Sequence, residues 1–205
     1  MTFPTEWSDK ENEEHVQHGV FRQQVRPVTV LRIGASALDF FHLLFTMNIV
    51  KAIVRKTNKY TQKCLRSAGK DPHSFENVTE IELLAYLGLV IAISLHSLHS
   101  IRDYWSTDWV LGVPTLARII SRDRFEIVTR FLNLNDDTLM PARGSPTFDK
   151  LYKVRPFVES IRANLLSQYM PHKQLSVDEA MIKFKGRSSL KQYMPKKPIK
   201  RGIKM

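Results

Sequence analysis

Cysteine is nearly missing from this chain, with Cys64 alone among 205 residues. One thiol cannot build an intrachain disulfide framework, and such usage suits a reducing compartment. A cysteine–histidine zinc site is not expected either. The seven histidines are scattered, and His96 and His99 lack the rest of a ligand motif. Long apolar runs are missing too. The most apolar stretch, Ile81 to Leu95, has 15 residues and contains Glu82. That is short of the roughly 20 residues a bilayer span needs, and it suits a buried core helix. Asp9, Glu11, Glu13 and Glu14 stand where a secretory leader would be apolar, so no leader is expected. No internal repeat or low-complexity tract is present.

Acids are the remaining scarcity. Thirty-one Lys and Arg face twenty Asp and Glu, a net charge of +11. A balance this basic favours phosphate-bearing partners, nucleic acid first and an anionic membrane surface second. The charge is uneven. Residues 173–205 carry eight Lys and two Arg against two acids, a net +8, which leaves +3 for the first 172 residues. What the chain does have is apolar material, 43% of residues, with 10% aromatic. That composition is globular, and the length allows one sizeable core or one domain plus part of another.

Periodicity divides the chain in three. Residues 1–35 lack clear patterning and are expected to be loosely packed, with a short extended piece at Pro27 to Val30. Residues 36–171 read as helical. Ser36 with Asp39 caps a first helix, whose apolar face runs Phe41, Leu44, Phe45, Ile49, Ile53 and whose end is marked by Lys51, Arg55 and Lys56. Thr57 to Asn77 reads as a polar connection broken at Gly69 and Asp71-Pro72. Thr79 and Glu82 form a capping box for a helix to about His96, apolar almost all round and so expected at the centre of the core. Tyr104, Trp105 and Trp109 form a dense aromatic segment suited to a core or an interface. Pro114 opens a short helix. Ser121 caps another with Phe125, Val128, Phe131 and Leu132 on one face, and Pro156 starts the last, with Phe157, Ile161, Leu165 and Tyr169 as its stripe. A loop spans Asn133 to Thr147. In residues 172–205 the period changes to two. Leu175, Val177 and Met181 alternate with Ser176, Asp178 and Ala180, and two further strands are expected in Leu190–Met194 and Ile199–Met205.

Several ordered blocks then carry a resemblance. They are Thr57-Asn58-Lys59-Tyr60, Leu87-Gly88-Leu89, Arg102-Asp103-Tyr104-Trp105-Ser106, Ser121-Arg122-Asp123-Arg124-Phe125, Arg130-Phe131-Leu132 and Asp149 through Pro156. Downstream come Ser176-Val177-Asp178-Glu179-Ala180-Met181, Phe184-Lys185-Gly186-Arg187-Ser188-Ser189, Gln192 through Pro198 and Gly202-Ile203-Lys204. Together, over residues 36–205, they resemble the piggyBac transposase family. The resemblance implies a DDE/D transposase. In that family a mostly helical dimerisation and DNA-binding region precedes an RNase H-like catalytic domain that is split by an insertion. Three aspartates hold two Mg²⁺ (or Mn²⁺) ions for cut-and-paste transfer at T-T-A-A targets, and a Cys-rich zinc domain often closes the chain. The expected fold class is therefore mostly α: a helical region over 36–171, then the first β-strands of an incomplete RNase H-like α/β domain over 172–205.

Asp178 matches the family's first aspartate, the one candidate for both the catalytic and the metal role. Glu179, on the opposite face of a strand, is not its equal. Two-metal phosphoryl chemistry needs several carboxylates converging on two ions. Asp123, Asp136 and Asp137 match no catalytic position, so this truncated chain is expected not to hold the ions stably and not to transpose DNA. Lys183, Lys185, Arg187, Lys191, Lys196, Lys197 and Lys200 are the expected nucleic-acid contacts, made to phosphates without base readout. Lys196 through Arg201 also reads as a nuclear-import cluster, and a nuclear location is expected. The expected partners are DNA and a second copy or a related transposase, with no membrane. Two other readings stay open. One is a domesticated protein-interaction module using Tyr104, Trp105 and Trp109. The other is a partial gene model of an active transposase.

Overall fold

The computed structural model describes Arg22, residues 24–176 and residues 178–204. Most of the expected loose segment, residues 1–21 and 23, and the strand position Val177 lie outside the described residues.

Among the described residues, six helices carry the fold: α1 (Ala37–Leu44), α2 (Met47–Ser67), α3 (Glu80–Leu95), α4 (Pro114–Ala117), α5 (Arg122–Phe131) and α6 (Arg155–Gln168). Short 3₁₀ turns at Pro72–Ser74, Ile101–Trp105 and Asp137–Leu139 join them. The first strand, β1 (Arg26–Pro27), pairs antiparallel with β2 (Tyr169–Met170) behind α6. A separate three-stranded antiparallel sheet follows, of β3 (Met181–Lys183), β4 (Lys191–Tyr193) and β5 (Arg201–Lys204), with β5 in the middle.

Helix starts follow the local chemistry. Ser36 and Asp39 cap α1 reciprocally, Thr79 accepts the Glu82 N–H at 3.2 Å, and Ser121 accepts the Arg124 N–H at 3.3 Å. The capping box at α3 is only half formed, because the Glu82 carboxylate turns to Arg124, with N···O distances of 2.5 and 2.8 Å.

The first expected helix is two helices. The chain breaks at Phe45–Thr46, and α2 then continues to Ser67, through what reads in sequence as a polar connection. Tertiary contacts carry it onward. Thr57 and Thr61 are buried, and Asn58 exchanges hydrogen bonds of 2.8 and 2.9 Å with the backbone of Val78. No residue between Lys56 and Ser67 breaks a helix. The stop comes at Gly69, whose φ of +67° favours glycine.

The core lies where α2, α3 and α5 meet. Ile49, Val50, Ile53 and Val54 pack with Leu83, Tyr86, Leu89, Phe125 and Val128. Helix α3 is less central than its composition predicts. Leu83, Tyr86 and Leu89 are buried, but Ile81 and Leu95 are 81% and 84% exposed. Tyr104 is buried and Trp105 Nε1 donates to Ile120 O at 2.8 Å, so of the aromatic trio only Trp109 lies open. That removes two of the three contacts expected of an interaction module. Helix α6 contributes Phe157 and Ile161 to the core margin and is tied to α1 by Asn164 Nδ2 donating to Leu44 O at 2.7 Å. Leu165 and Tyr169, expected on the same stripe, are exposed, and Tyr169 belongs to β2. No single described helix is long and apolar enough to cross a membrane.

Candidate nucleic-acid interface

The C-terminal sheet starts later than the alternation in sequence suggests. Strand begins at Met181, and Asp178 and Glu179 precede it in irregular backbone. Asp178 Oδ1 accepts the N–H of Glu179 at 2.7 Å, a local side-chain bond of the kind that competes with a ladder. The two acids are therefore not opposite faces of one strand. Both turn to lysines of the later chain: Asp178 meets Lys197 Nζ at 3.6 Å, and Glu179 pairs with Lys204. The Glu179 N–H bond, and then the Lys197 charge, hold the Asp178 carboxyl below its ordinary value.

Register sets which side chains share the sheet. Ile182 and Lys191 both lie opposite Ile203, and Tyr193 lies opposite Arg201. The Arg201 guanidinium sits 5.3 Å from the Tyr193 ring centre. The strands approach closely at Gly202, where a Cβ would stand 2.1 Å from Ile182 O. Beside β4 and β5 opens a shallow groove of about 660 Å³. Lys183, Lys185, Lys191, Lys200 and Arg201 line it with Phe184 and Tyr193, and no acid does.

Four of the seven expected phosphate contacts thus come together: Lys183, Lys185, Lys191 and Lys200. Arg187 and Lys196 are exposed outside the lining, and Lys197 is engaged by Asp178 and by Glu179 O at 3.3 Å. Arg201 was missed in sequence. The signal was there, in strand alternation that sets it across from Tyr193, but pairing between strands is not visible in a linear reading. Lysines in this groove present ammonium donors along a concave, aromatic-edged surface. Such a surface is complementary in charge to phosphate groups and offers no fixed pattern for reading bases.

A divalent centre does not fit the residues in hand. Asp178 brings one carboxylate, which faces the Lys197 ammonium at 3.6 Å, and among the described residues no group of three His, Cys, Asp or Glu could hold a metal ion.

This helical body with its small antiparallel sheet belongs to a known class. A transposase family model, described as Transposase IS4, matches residues 36–205. Three human proteins sharpen the assignment. The chain is 31% identical over 156 residues to PiggyBac transposable element-derived protein 5, covering 76% of this chain and 28% of that one. It is 28% identical over 171 residues to PiggyBac transposable element-derived protein 2, covering 83% and 26%, and 26% identical over 176 residues to PiggyBac transposable element-derived protein 3, covering 86% and 27%. A cryo-EM structure of the piggyBac transposase synaptic complex with hairpin DNA superposes with a TM-score of 0.70 at 27% identity, over 89% of this chain and 37% of that chain. The chain belongs to the piggyBac transposase family, and it spans about a quarter of the length of the curated relatives it matches. Enzymes of this DDE class use divalent metal ions.

Proposed function

We propose that this chain is a DNA-binding part of a piggyBac-type transposase or of a protein derived from one, and that it acts in the nucleus. Residues 36–171 act as the helical dimerisation and DNA-binding region, and residues 172–205 open an RNase H-like catalytic domain. The observation that carries the reading is the acid-free groove of five cations beside Tyr193. The family supports it, as does the likeness to a transposase solved as a synaptic complex with hairpin DNA.

In this reading Asp178 is the first of the metal-binding aspartates. By itself it organises no two-metal site, so these 205 residues bind DNA without cutting it. Loss of the Lys197 contact would accompany recruitment of Asp178 to a metal, because an ammonium and a metal ion compete for the same carboxylate.

A mobility-shift titration with duplex DNA tests the proposal. Binding should weaken as salt rises, with a log–log slope of about −0.9 for each phosphate contact. Replacing Lys183 and Lys200 together by Gln should lower affinity and reduce that slope by about 2. Absence of binding at low salt, or binding indifferent to salt, would sink the reading.

A further inference from the structure

The link between β3 and β4 is not a hairpin. Both strands pair with β5 and not with each other, so the seven residues 184–190 cross β5 to reach the far edge of the sheet. The link ends in a turn. Lys191 N–H donates to Ser188 O at 3.2 Å, which places Ser189 and Leu190 at the tip. The Ser188 hydroxyl is engaged within the turn, accepting the Leu190 N–H at 3.2 Å. Ser189 is exposed, and its hydroxyl has no hydrogen-bond partner among the described residues. Opening the turn breaks an exposed backbone bond worth about 1 kcal/mol, so a partner can draw the segment out at little cost.

The charges around that hydroxyl have one sign. Arg187 stands two residues before Ser189 and Lys191 two residues after, with Lys185 and Lys183 further back. Residues 180–205 contain no Asp or Glu. Lys191 is folded back on the link, its Nζ 3.5 Å from Lys185 O and 3.4 Å from Gly186 O. Those contacts are long, and an oxyanion beside them is the stronger partner for an ammonium. An exposed, unbonded serine between an Arg and a Lys suits a protein kinase whose peptide groove is lined by carboxylates. Opposite charge selects the segment, and the turn presents the hydroxyl.

We propose that Ser189 is a phosphorylation site for a basic-directed protein kinase, and that its phosphate closes the sheet groove to other phosphates. The first half stands on the turn and its charges. The second rests on the DNA-binding reading of the groove given above. In the transfer, Ser189 Oγ bonds to the γ-phosphorus of ATP while the bond from that phosphorus to the β,γ-bridging oxygen breaks. ADP leaves with the electron pair, and the hydroxyl proton passes to the kinase's catalytic carboxylate. The product carries a charge of about −1.5 to −2 near neutral pH. Lys191, two residues on, and Lys185, whose carbonyl it meets, both line the groove. Two of the five groove cations then gain a counter-anion within the chain.

The test begins with the 205-residue protein, Mg-ATP and the purified catalytic domain of protein kinase C, a basic-directed kinase. Tandem mass spectrometry should place a phosphate on Ser189. Ser188→Ala should keep it, Ser189→Ala should lose it, and Arg187→Gln should slow its addition about tenfold, as loss of a charged contact does. A Ser189 left unmodified, or a phosphate on Ser188 in its stead, overturns the site. The second arm needs no DNA. In the phosphoprotein, acetylation of Lys185 and Lys191 by acetic anhydride should slow several-fold while Lys63 reacts as before. Unchanged rates at both overturn the counter-anion role. The third arm is fluorescence anisotropy with a random-sequence duplex of about 20 base pairs. The phosphoprotein should bind about tenfold more weakly at low salt, with a salt slope smaller by about 2. Equal affinity and slope overturn the closing of the groove and leave the function proposed above standing. If the unmodified protein does not bind at low salt, that function and the closing both fall. A phosphate on Ser189 and slowed Lys185 and Lys191 still uphold the site.

Discussion

The helical body and the C-terminal sheet are both basic, yet different forces hold them. Residues from α2, α3 and α5 bury a continuous apolar core in which Val50, Leu83, Leu89 and Val128 are almost wholly shielded from water. Among the described residues, none of the buried apolar core comes from the chain after residue 171. The sheet rests on its ladder, on the close approach at Gly202 and on ion pairs such as Glu179 with Lys204. Ile182 and Tyr193 remain half-exposed. Burial of apolar surface is the larger source of stability, and exposed ion pairs add little. The helical body can therefore carry its unpaired cations as passengers on a stable frame. In the sheet, by contrast, charged residues make up four of the ten strand positions and no buried apolar cluster backs them among the described residues.

That contrast predicts where mutations act. The largest effect should come from Leu83→Ala, which removes a fully buried side chain and should cost about 2–5 kcal/mol, seen as a lower midpoint for the whole helical signal in a thermal melt. Ile203→Ala, in the middle strand of the sheet, should leave that midpoint in place. A shared drop in both variants would break the comparison by showing one cooperative unit.

Next is Gly202→Ala. The added Cβ meets the backbone at Ile182 O, and relief requires β3 and β5 to separate, at a cost of about 1–3 kcal/mol. Amide exchange should quicken at Met181–Lys183 and Arg201–Lys204 and stay slow in α2 and α5. Equal acceleration everywhere would contradict the separate footing of the two regions.

The smallest effect concerns acid. Hydrogen bonds from Arg124, against a smaller opposing effect of burial, hold the Glu82 carboxyl below its ordinary range. A depressed carboxylate stabilises the fold fully above its unfolded pKa, and that contribution fades as pH falls through the folded value. The melting midpoint should accordingly drop as pH falls below the ordinary glutamate range. Glu82→Gln should lose about 1–2 kcal/mol at neutral pH, discounted for partial exposure, and should show a shallower acid decline. The salt bridge joins α3 to α5, so the sheet amides should not respond. A sheet response would sharpen the picture by revealing a coupling between the regions.

Much of this was legible in the chain itself. Ser36, Thr79 and Ser121 mark helix starts because a capping hydroxyl satisfies N–H groups a few residues away, and that chemistry is local. The basic tail and the family blocks are equally local. Three features were not. The second half of α2 depends on Asn58 reaching Val78 and on the burial of Thr57 and Thr61. The position of Asp178 ahead of the strand depends on its own side chain capturing the next N–H. Burial of Tyr104 depends on bonds from its hydroxyl to the end of α3.

By itself, then, the sequence determined the helix starts, the change from helical to strand period, the family and the surplus of cations. Only the tertiary structure decided which cations are free. Lys59 is tied to Asp136, Lys197 to Asp178 and Arg124 to Glu82 across separations of 77, 19 and 42 residues. Arg55, Lys63 and Arg66 are left without acids among the described residues, along a helix that the linear pattern cut short. Charge is counted along a chain, but it is neutralised in space, and the chain has to fold before the two can be told apart.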